Sequence, residues 1–286
     1  MRSAPGGGLL FRMEVKQVVM VLADISGYTR FLRSHTTSLL HAEAIITELL
    51  EAVINHAEHP LTLSKLEGDA AFMYAPLEGD ECAVTQDVLR QVTAFFEAFK
   101  ARERALIACD ACVCDACRNI AQLKLKAFLH IGEAAIKKIR QFEELGGEEA
   151  ILIHRLLKNT VPAKEYTLMT QAFYDVSGGL DGRTPETRIE ACEGIGDVTV
   201  KVYYPEGEEP PLPPQPAPLP PMPGTEAGAL ADRFNRYAVR RTLGREQPQF
   251  AHLPNQKLGP RDLFGYFVGG IGSGVVKTIR YYLTQK

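Results

Sequence analysis

Two aspartates stand where a carboxylate can be held rigidly at the edge of a sheet. Asp24 closes the apolar run 18–23, which reads as a buried strand, and Asp69 falls in the turn Glu67-Gly68-Asp69 between two strand-like segments, 61–66 and 70–74. Carboxylates converging from two strand ends suit Mg²⁺ or Mn²⁺, hard cations that take oxygen ligands and bridge to substrate phosphates. Taken singly, each aspartate reads equally well as a turn or helix cap. A second donor set is Cys109-Asp-Ala-Cys112-Val-Cys114-Asp-Ala-Cys117, four thiols in a CxxCxCxxC pattern. Four thiolates fit a tetrahedral Zn²⁺ that would stiffen a loop without taking part in catalysis. The single residue between the CxxC pairs is tight for a zinc knuckle. An iron–sulfur cluster, a site shared across a dimer and free thiols therefore stay open. Cys82 and Cys192 are expected to be buried thiols.

The elements that must position these groups alternate. The segment 39–56 has helical spacing, with Leu40, Ala44, Leu49 and Val53 near one face, and 80–106 reads as a long helix. Beyond the cysteines, 123–131 and 134–140 read as a strand pair turning at Gly132, followed by a helix over 148–158 and a strand over 165–170. A final hairpin, 188–193 with 198–203, is broken by Gly194 and Gly196. Strands mixed with helices and hairpins indicate an α+β domain with an antiparallel or mixed sheet.

Ten of the 18 prolines fall between Pro205 and Pro223, a composition that builds no core and favours an extended linker. The expected organisation is an N-terminal extension (1–14), a main domain (15–204), a proline-rich linker (205–224) and a tail (225–286). The chain has 286 residues and a net charge of −3, too little basic excess for a protein that coats nucleic acid. Only the tail is basic, with ten Lys and Arg against four Asp and Glu. Within it, 232–245 spaces Phe234, Tyr237 and Val239 among arginines, and 263–283 repeats the pattern with Lys277 and Arg280. Such segments either lie on an anionic membrane surface or dock on the domain. No secretory signal or spanning segment is read, so a cytoplasmic location is expected, with peripheral membrane contact as the alternative.

Three blocks in order, Asp24-Ile25-Ser26-Gly27-Tyr28-Thr29, then Lys65-Leu-Glu-Gly68-Asp69-Ala70, then His130-Ile-Gly132, resemble the class III adenylyl and guanylyl cyclases. The likeness runs on through Gly147, Arg155 and Gly194-Ile-Gly196, covering about residues 15–204. It implies a ferredoxin-like, palm-type domain that pairs head to tail as a homodimer, with the site at the interface. By that resemblance, Asp24 and Asp69, helped by the Ile25 carbonyl, bind two Mg²⁺ or Mn²⁺ ions. Backbone N–H groups of Ser26, Gly27, Tyr28 and Thr29 cradle phosphate. Lys65 and Glu144 read the purine edge of a nucleoside triphosphate, and Arg155 stabilises the transition state, these three coming from the partner protomer.

The departures from that family are specific. Four residues before its arginine the family carries a ribose-orienting asparagine, and this chain has Ile151, which donates no hydrogen bond. The family's Lys-Gly-Lys-Gly reads Glu193-Gly194-Ile195-Gly196 here, so a cation for the terminal phosphates is missing. Losing one positioning group costs about a hundredfold in rate. The segment 151–159 is more similar to an uncharacterised bacterial offshoot of the cyclases than to the active enzymes. Asn159, four residues after Arg155, either takes over the ribose contact or caps the helix. His154 reads as a packing or hydrogen-bonding residue. Three functions follow: a cyclase forming a 3′,5′-cyclic nucleotide for signalling, a catalytically silent nucleotide sensor or scaffold, and a zinc-stabilised adaptor tethered through its tail. Lys65 with an acidic partner resembles the adenine-reading arrangement, but Glu144 is a methylene longer than the family's aspartate, which leaves ATP and GTP both open.

Overall fold

The computed structural model describes residues 12–33, 39–109, 112, 115–139, 142–205, 237–244, 250, 253, 259 and 260. The N-terminal extension up to residue 11, Cys114, the linker from 206 onward and the second tail segment, 263–283, lie outside them. In chain order the elements are β1 (Arg12–Ser26), α1 (Tyr28–Arg33), α2 (Leu39–Ile54), β2 (Thr62–Glu67), β3 (Ala70–Pro76), α3 (Glu81–Ala108) and α4 (Asp115–Asn119). There follow a 3₁₀ turn (Ile120–Gln122), β4 (Lys124–Ile139), β5 (Phe142–Gly146), α5 (Glu148–Arg155) with a 3₁₀ extension (Leu156–Lys158), β6 (Tyr166–Thr170), α6 (Gln171–Ser177), β7 (Glu186–Cys192) and β8 (Gly196–Tyr203).

Eight strands form one sheet in the order β2-β3-β1-β4-β6-β8-β7, with β5 paired to β4 beside that path. The β4–β6 pair is parallel, while β1–β3, β2–β3, β4–β5, β6–β8 and β7–β8 are antiparallel. The fold is thus α+β with a mainly antiparallel sheet, as expected. Val18 to Ala23 of β1 are wholly buried, which explains why this central strand reads as a continuous apolar run without alternation. Helix α3 presents Thr85, Val88, Val92 and Phe95 as a buried stripe at helical spacing. The core gathers Met20, Leu22, Phe72, Phe128, Ile153, Tyr166, Leu168 and Val200 from five strands and α5, with Val202 beside them.

The chain divides into two compact units, one made of Met1–Ser26, Val53–Phe96 and Leu125–Glu206, the other of Gly27–Ala52, Glu97–Lys124 and Gly207–Lys286. The sheet belongs almost entirely to the first. In the second, Arg102 of α3 pairs with the buried Glu48 of α2 and lies 5.1 Å over the Phe250 ring. Residues 237–242 are helical, and Tyr237, Val239 and Arg241 are buried. This part of the tail packs within the second unit.

Two expectations are corrected. The expected hairpin 123–140 turning at Gly132 is not found: Lys124–Ile139 is one long strand, β4, whose antiparallel partner is β5. Gly132 serves another purpose. A Cβ there would stand 2.5 to 2.9 Å from the Glu149 side chain, so the glycine opens the strand face that α5 needs. Cys82 is exposed, because it lies in the first turn of α3 before the buried stripe begins at Thr85, whereas Cys192 is buried. Helices α1 and α6 are additions that the sequence did not announce. Among the described residues, no helix is long and apolar enough to cross a membrane.

Candidate functional site

The register of β1 on β3 sets Asp24 opposite Ala70, and the Ile25 N–H donates to the Asp69 carbonyl at 3.0 Å. The β2–β3 turn, whose Gly68 takes a positive φ of 65°, thereby holds Asp69 beside the end of β1. Burial first, and the charge of Asp69 second, push the Asp24 carboxyl up from 3.8 to about 6, against the pull of Lys126. A half-buried carboxylate whose ionisation a neighbouring aspartate opposes makes with it a fitting pair for a divalent cation, which would remove that repulsion. The same aspartate and, above all, burial push the Tyr166 hydroxyl up to about 12. Ser26, at the end of β1, is buried, and its hydroxyl donates to the Lys164 carbonyl at 2.8 Å.

The next residues belong to the second unit. Gly27 has φ +91°, and a Cβ on it would stand 3.0 Å from the Gln122 carbonyl oxygen, so the turn tolerates no side chain. Tyr28 opens α1 and its hydroxyl donates to Glu43 at 2.8 Å, while Thr29 is exposed.

Back in the first unit lies a cleft of about 490 Å³, lined among others by Lys65, Lys137, Glu144, Ile151, Arg155 and Lys158. Lys65 of β2, Glu144 of β5 and Arg155 of α5 are brought together here from positions far apart in the chain. Four cationic side chains against one carboxylate make the cleft suited to an anion, and Leu145, Ala150 and Ile151 supply apolar wall for a flat ring. Lys65 pairs with Glu67 at 2.6 Å and lies 5.7 Å over the Phe72 ring. Burial would raise Glu67, but the Lys65 hydrogen bond and the His154 ring outweigh it and hold its carboxyl below the usual range. His154 Nε2 stands 3.0 Å from Glu67, its Nδ1 2.6 Å from the Ala150 carbonyl, and its ring meets Phe72 edge-on.

Arg155 ends α5 and forms an ion pair with Glu193 at 2.9 Å, in the turn between β7 and β8. Ile151, one turn earlier on α5, is 53% exposed and faces the cleft with nothing to offer a ribose hydroxyl. Asn159 closes the 3₁₀ extension of α5. Its Nδ2 donates to the Leu156 carbonyl at 2.7 Å, and its Oδ1 accepts from the Val161 N–H at 2.9 Å and from the Tyr166 hydroxyl at 3.0 Å. Both ends of its carboxamide are engaged in fixing the loop. Behind the cleft the buried His130 joins Thr170 (2.9 Å) to Glu149 (2.7 Å), with burial, opposed by Glu149, holding the imidazole below its ordinary value.

In the second unit, Cys109, Cys112 and Cys117 are buried. The ligand atoms of His41, Cys112 and Cys117 all lie within 4.8 Å of one another, with His41 Nε2 3.4 Å from Cys117 Sγ. His41 is a participant that the sequence did not reveal, since it lies on α2, far upstream of the cysteine loop. Lys137 and Lys158 of the cleft were also missed, although each carries the commonest signal of a surface residue, a lone lysine on an amphipathic element.

Residues 46–166 match the family model described as "Protein of unknown function (DUF2652)". The chain is 34% identical over 154 residues to the "Uncharacterized protein Rv2561/Rv2562" of Mycobacterium tuberculosis, covering 54% of this chain and 70% of that one. Among solved structures, it resembles a bacterial light-regulated adenylyl cyclase at 10% identity and a TM-score of 0.52, over 68% of this chain and 52% of that one. A second structure of a bacterial light-regulated adenylyl cyclase gives 10% identity and a TM-score of 0.50, over 66% and 52%. The fold is that of the nucleotide cyclase catalytic domain.

Proposed function

The chain belongs to the family of the Mycobacterium tuberculosis protein Rv2561/Rv2562, and from its cyclase-type fold we propose that it binds a purine nucleoside triphosphate with Mg²⁺ or Mn²⁺ as a head-to-tail homodimer. The observation that carries this reading is the sorting of the site residues. Asp24 and Asp69 meet at one sheet edge, while Lys65, Glu144 and Arg155 line one cleft to which neither aspartate contributes. Each cluster is chemically incomplete by itself: one holds cations without reading a base, the other reads a base without holding cations. Pairing two copies so that the acidic edge of one faces the cleft of the other completes both.

In that assembly Asp24 and Asp69, with the Ile25 carbonyl, hold the metal ions. Metal ions held there would supply activation of the ribose 3′-hydroxyl and neutralisation of charge on the leaving pyrophosphate. Lys65 and Glu144 offer a donor and an acceptor to the purine edge, and Arg155 meets charge developing on the phosphate. The apolar Ile151 and the pairing of Arg155 with Glu193 favour slow turnover, or binding without turnover, as the second reading.

Incubating the purified protein with ATP or GTP and Mn²⁺, and scoring cyclic nucleotide by mass spectrometry beside an Asp24→Ala control, tests the enzyme. Product that vanishes in the control supports a cyclase. Nucleotide bound in an Asp69-dependent way without product supports the sensor. Absence of binding overturns both.

A further inference from the structure

We propose that His41, Cys112 and Cys117 ligate one Zn²⁺, and that this ion clips helix α2 to the segment preceding β4. Three independent features converge. The ligand atoms lie within 4.8 Å of one another, and the His41 Nε2 to Cys117 Sγ separation is 3.4 Å. Ligands of tetrahedral zinc, bound at about 2.0 to 2.3 Å, stand roughly 3.3 to 3.8 Å apart, so a small inward adjustment closes the set. Both cysteines are nearly inaccessible, Cys112 at 7% and Cys117 at 9%. Two buried thiols beside an imidazole can ionise there only with a cation between them, so a bound ion would hold them as thiolates. Mixed imidazole and thiolate donors match a borderline-soft ion, whereas iron–sulfur clusters are held mainly by cysteines. The fourth position falls to water.

The placement of the donors tells what such an ion does. His41 lies in the first turn of α2, Cys112 in the loop after α3 and Cys117 in α4. A site drawn from the cysteines alone would only tighten a local loop; one that includes His41 closes a segment of about seventy residues, where cross-linking is most effective. Helix α4 has five residues, too few to stand on intrinsic propensity. It leads directly into the 3₁₀ turn that ends at Gln122, whose carbonyl abuts the side-chain-free Gly27. The clip therefore fixes the wall against which the turn after β1 is folded. This inference does not rest on the nucleotide reading and holds for an enzyme, a sensor or an adaptor.

The test uses the full chain, reconstituted with zinc under reducing conditions. Metal analysis should find about one zinc per chain, and X-ray absorption should show at least two sulfur and one nitrogen neighbours. Cobalt substitution should give the visible bands of a tetrahedral thiolate site. His41→Ala should weaken zinc by more than the roughly 10- to 100-fold that losing an outer-shell partner costs, and His41→Cys should restore binding with an altered cobalt spectrum. Cys82→Ser, at an exposed position, should change nothing. An all-sulfur neighbour shell, iron with inorganic sulfide, failure to retain zinc, or a His41→Ala protein with unchanged metal content and cobalt spectrum would each overturn the proposal. The absorption measurement needs no variant, so it stays decisive should His41→Ala fail to fold.

Discussion

Arg155 and Glu193 hold each other at 2.9 Å, the arginine from the last turn of α5, where it lines the cleft, and the glutamate from the β7–β8 turn. The acid thus neutralises the arginine that the proposed function assigns to phosphate. The Glu193 side chain is 82% exposed, which bounds the strength of the pair. An exposed ion pair contributes at most about 1 kcal/mol, yet its charge directly opposes that of an incoming triphosphate.

Glu193→Gln should therefore tighten nucleoside triphosphate binding by up to about fivefold, with a stability change below about 0.5 kcal/mol. Glu193→Lys should tighten it further. Titration calorimetry at two salt concentrations checks this, because the gain should shrink as salt screens it. Equal affinity in all three proteins would remove the arginine from the binding site.

Asp24 makes metal-free stability depend on pH. Its folded-state value of about 6 lies above the ordinary 3.8, so between the two the folded chain keeps a proton that the unfolded chain has released. Stability contributed by this group is present at low pH, falls as pH rises from about 4 to about 6, and stays lowered above. Asp24→Asn should raise stability at pH 8 by up to about 3 kcal/mol and leave it nearly unchanged near pH 3.5. Urea melts across that range in chelator provide the measurement. Added Mn²⁺ should stabilise the parent protein and spare the variant.

Ile151→Asn restores a ribose-directed amide at an exposed position, so folding should change little. If the parent turns over, product formation should rise about ten- to a hundredfold, the usual effect of one positioning group. Single-turnover assays with mass-spectrometric detection read the change, and an unaltered rate would show that the ribose is held elsewhere.

Gly132→Ala tests why β4 passes straight through a glycine. Its new methyl would meet not only the end of the Glu149 side chain but its Cβ, at 2.8 Å, so α5 itself must shift. A loss of about 1 to 3 kcal/mol is expected. The same shift should break the Glu149 contact to His130, visible as a changed imidazole titration by NMR.

The hairpin 61–74, the helices near 39–56 and 80–106 and the buried strand ending at Asp24 were legible because each follows a simple period or its absence. Gly132 misled because a glycine amid apolar residues reads as a turn, whereas the space it leaves is used by a side chain arriving from α5. Helices α1 and α6 are too short for periodicity to register. The convergence of Lys65, Glu144 and Arg155 was anticipated only through resemblance, since no local pattern joins positions 65, 144 and 155. His41 was invisible for the same reason: nothing near it in sequence marks a histidine whose partners come about seventy residues later. Asn159 bonds Leu156 and Val161 in its own turn and Tyr166 across a loop, and spacing on one helix could not show the last of these.

The acidic edge and the cleft share no residue, and the departures at Ile151 and Glu193 both fall on the cleft side. Damage to one cluster therefore leaves the other intact within the same chain. In the proposed head-to-tail dimer, two inactive proteins, one altered at Asp24 and the other at Arg155, would then rescue each other when mixed. Random pairing of equal amounts gives about a quarter of the full complement of intact composite sites. In a cell carrying both alleles, two individually silent copies would together behave as one weak functional gene.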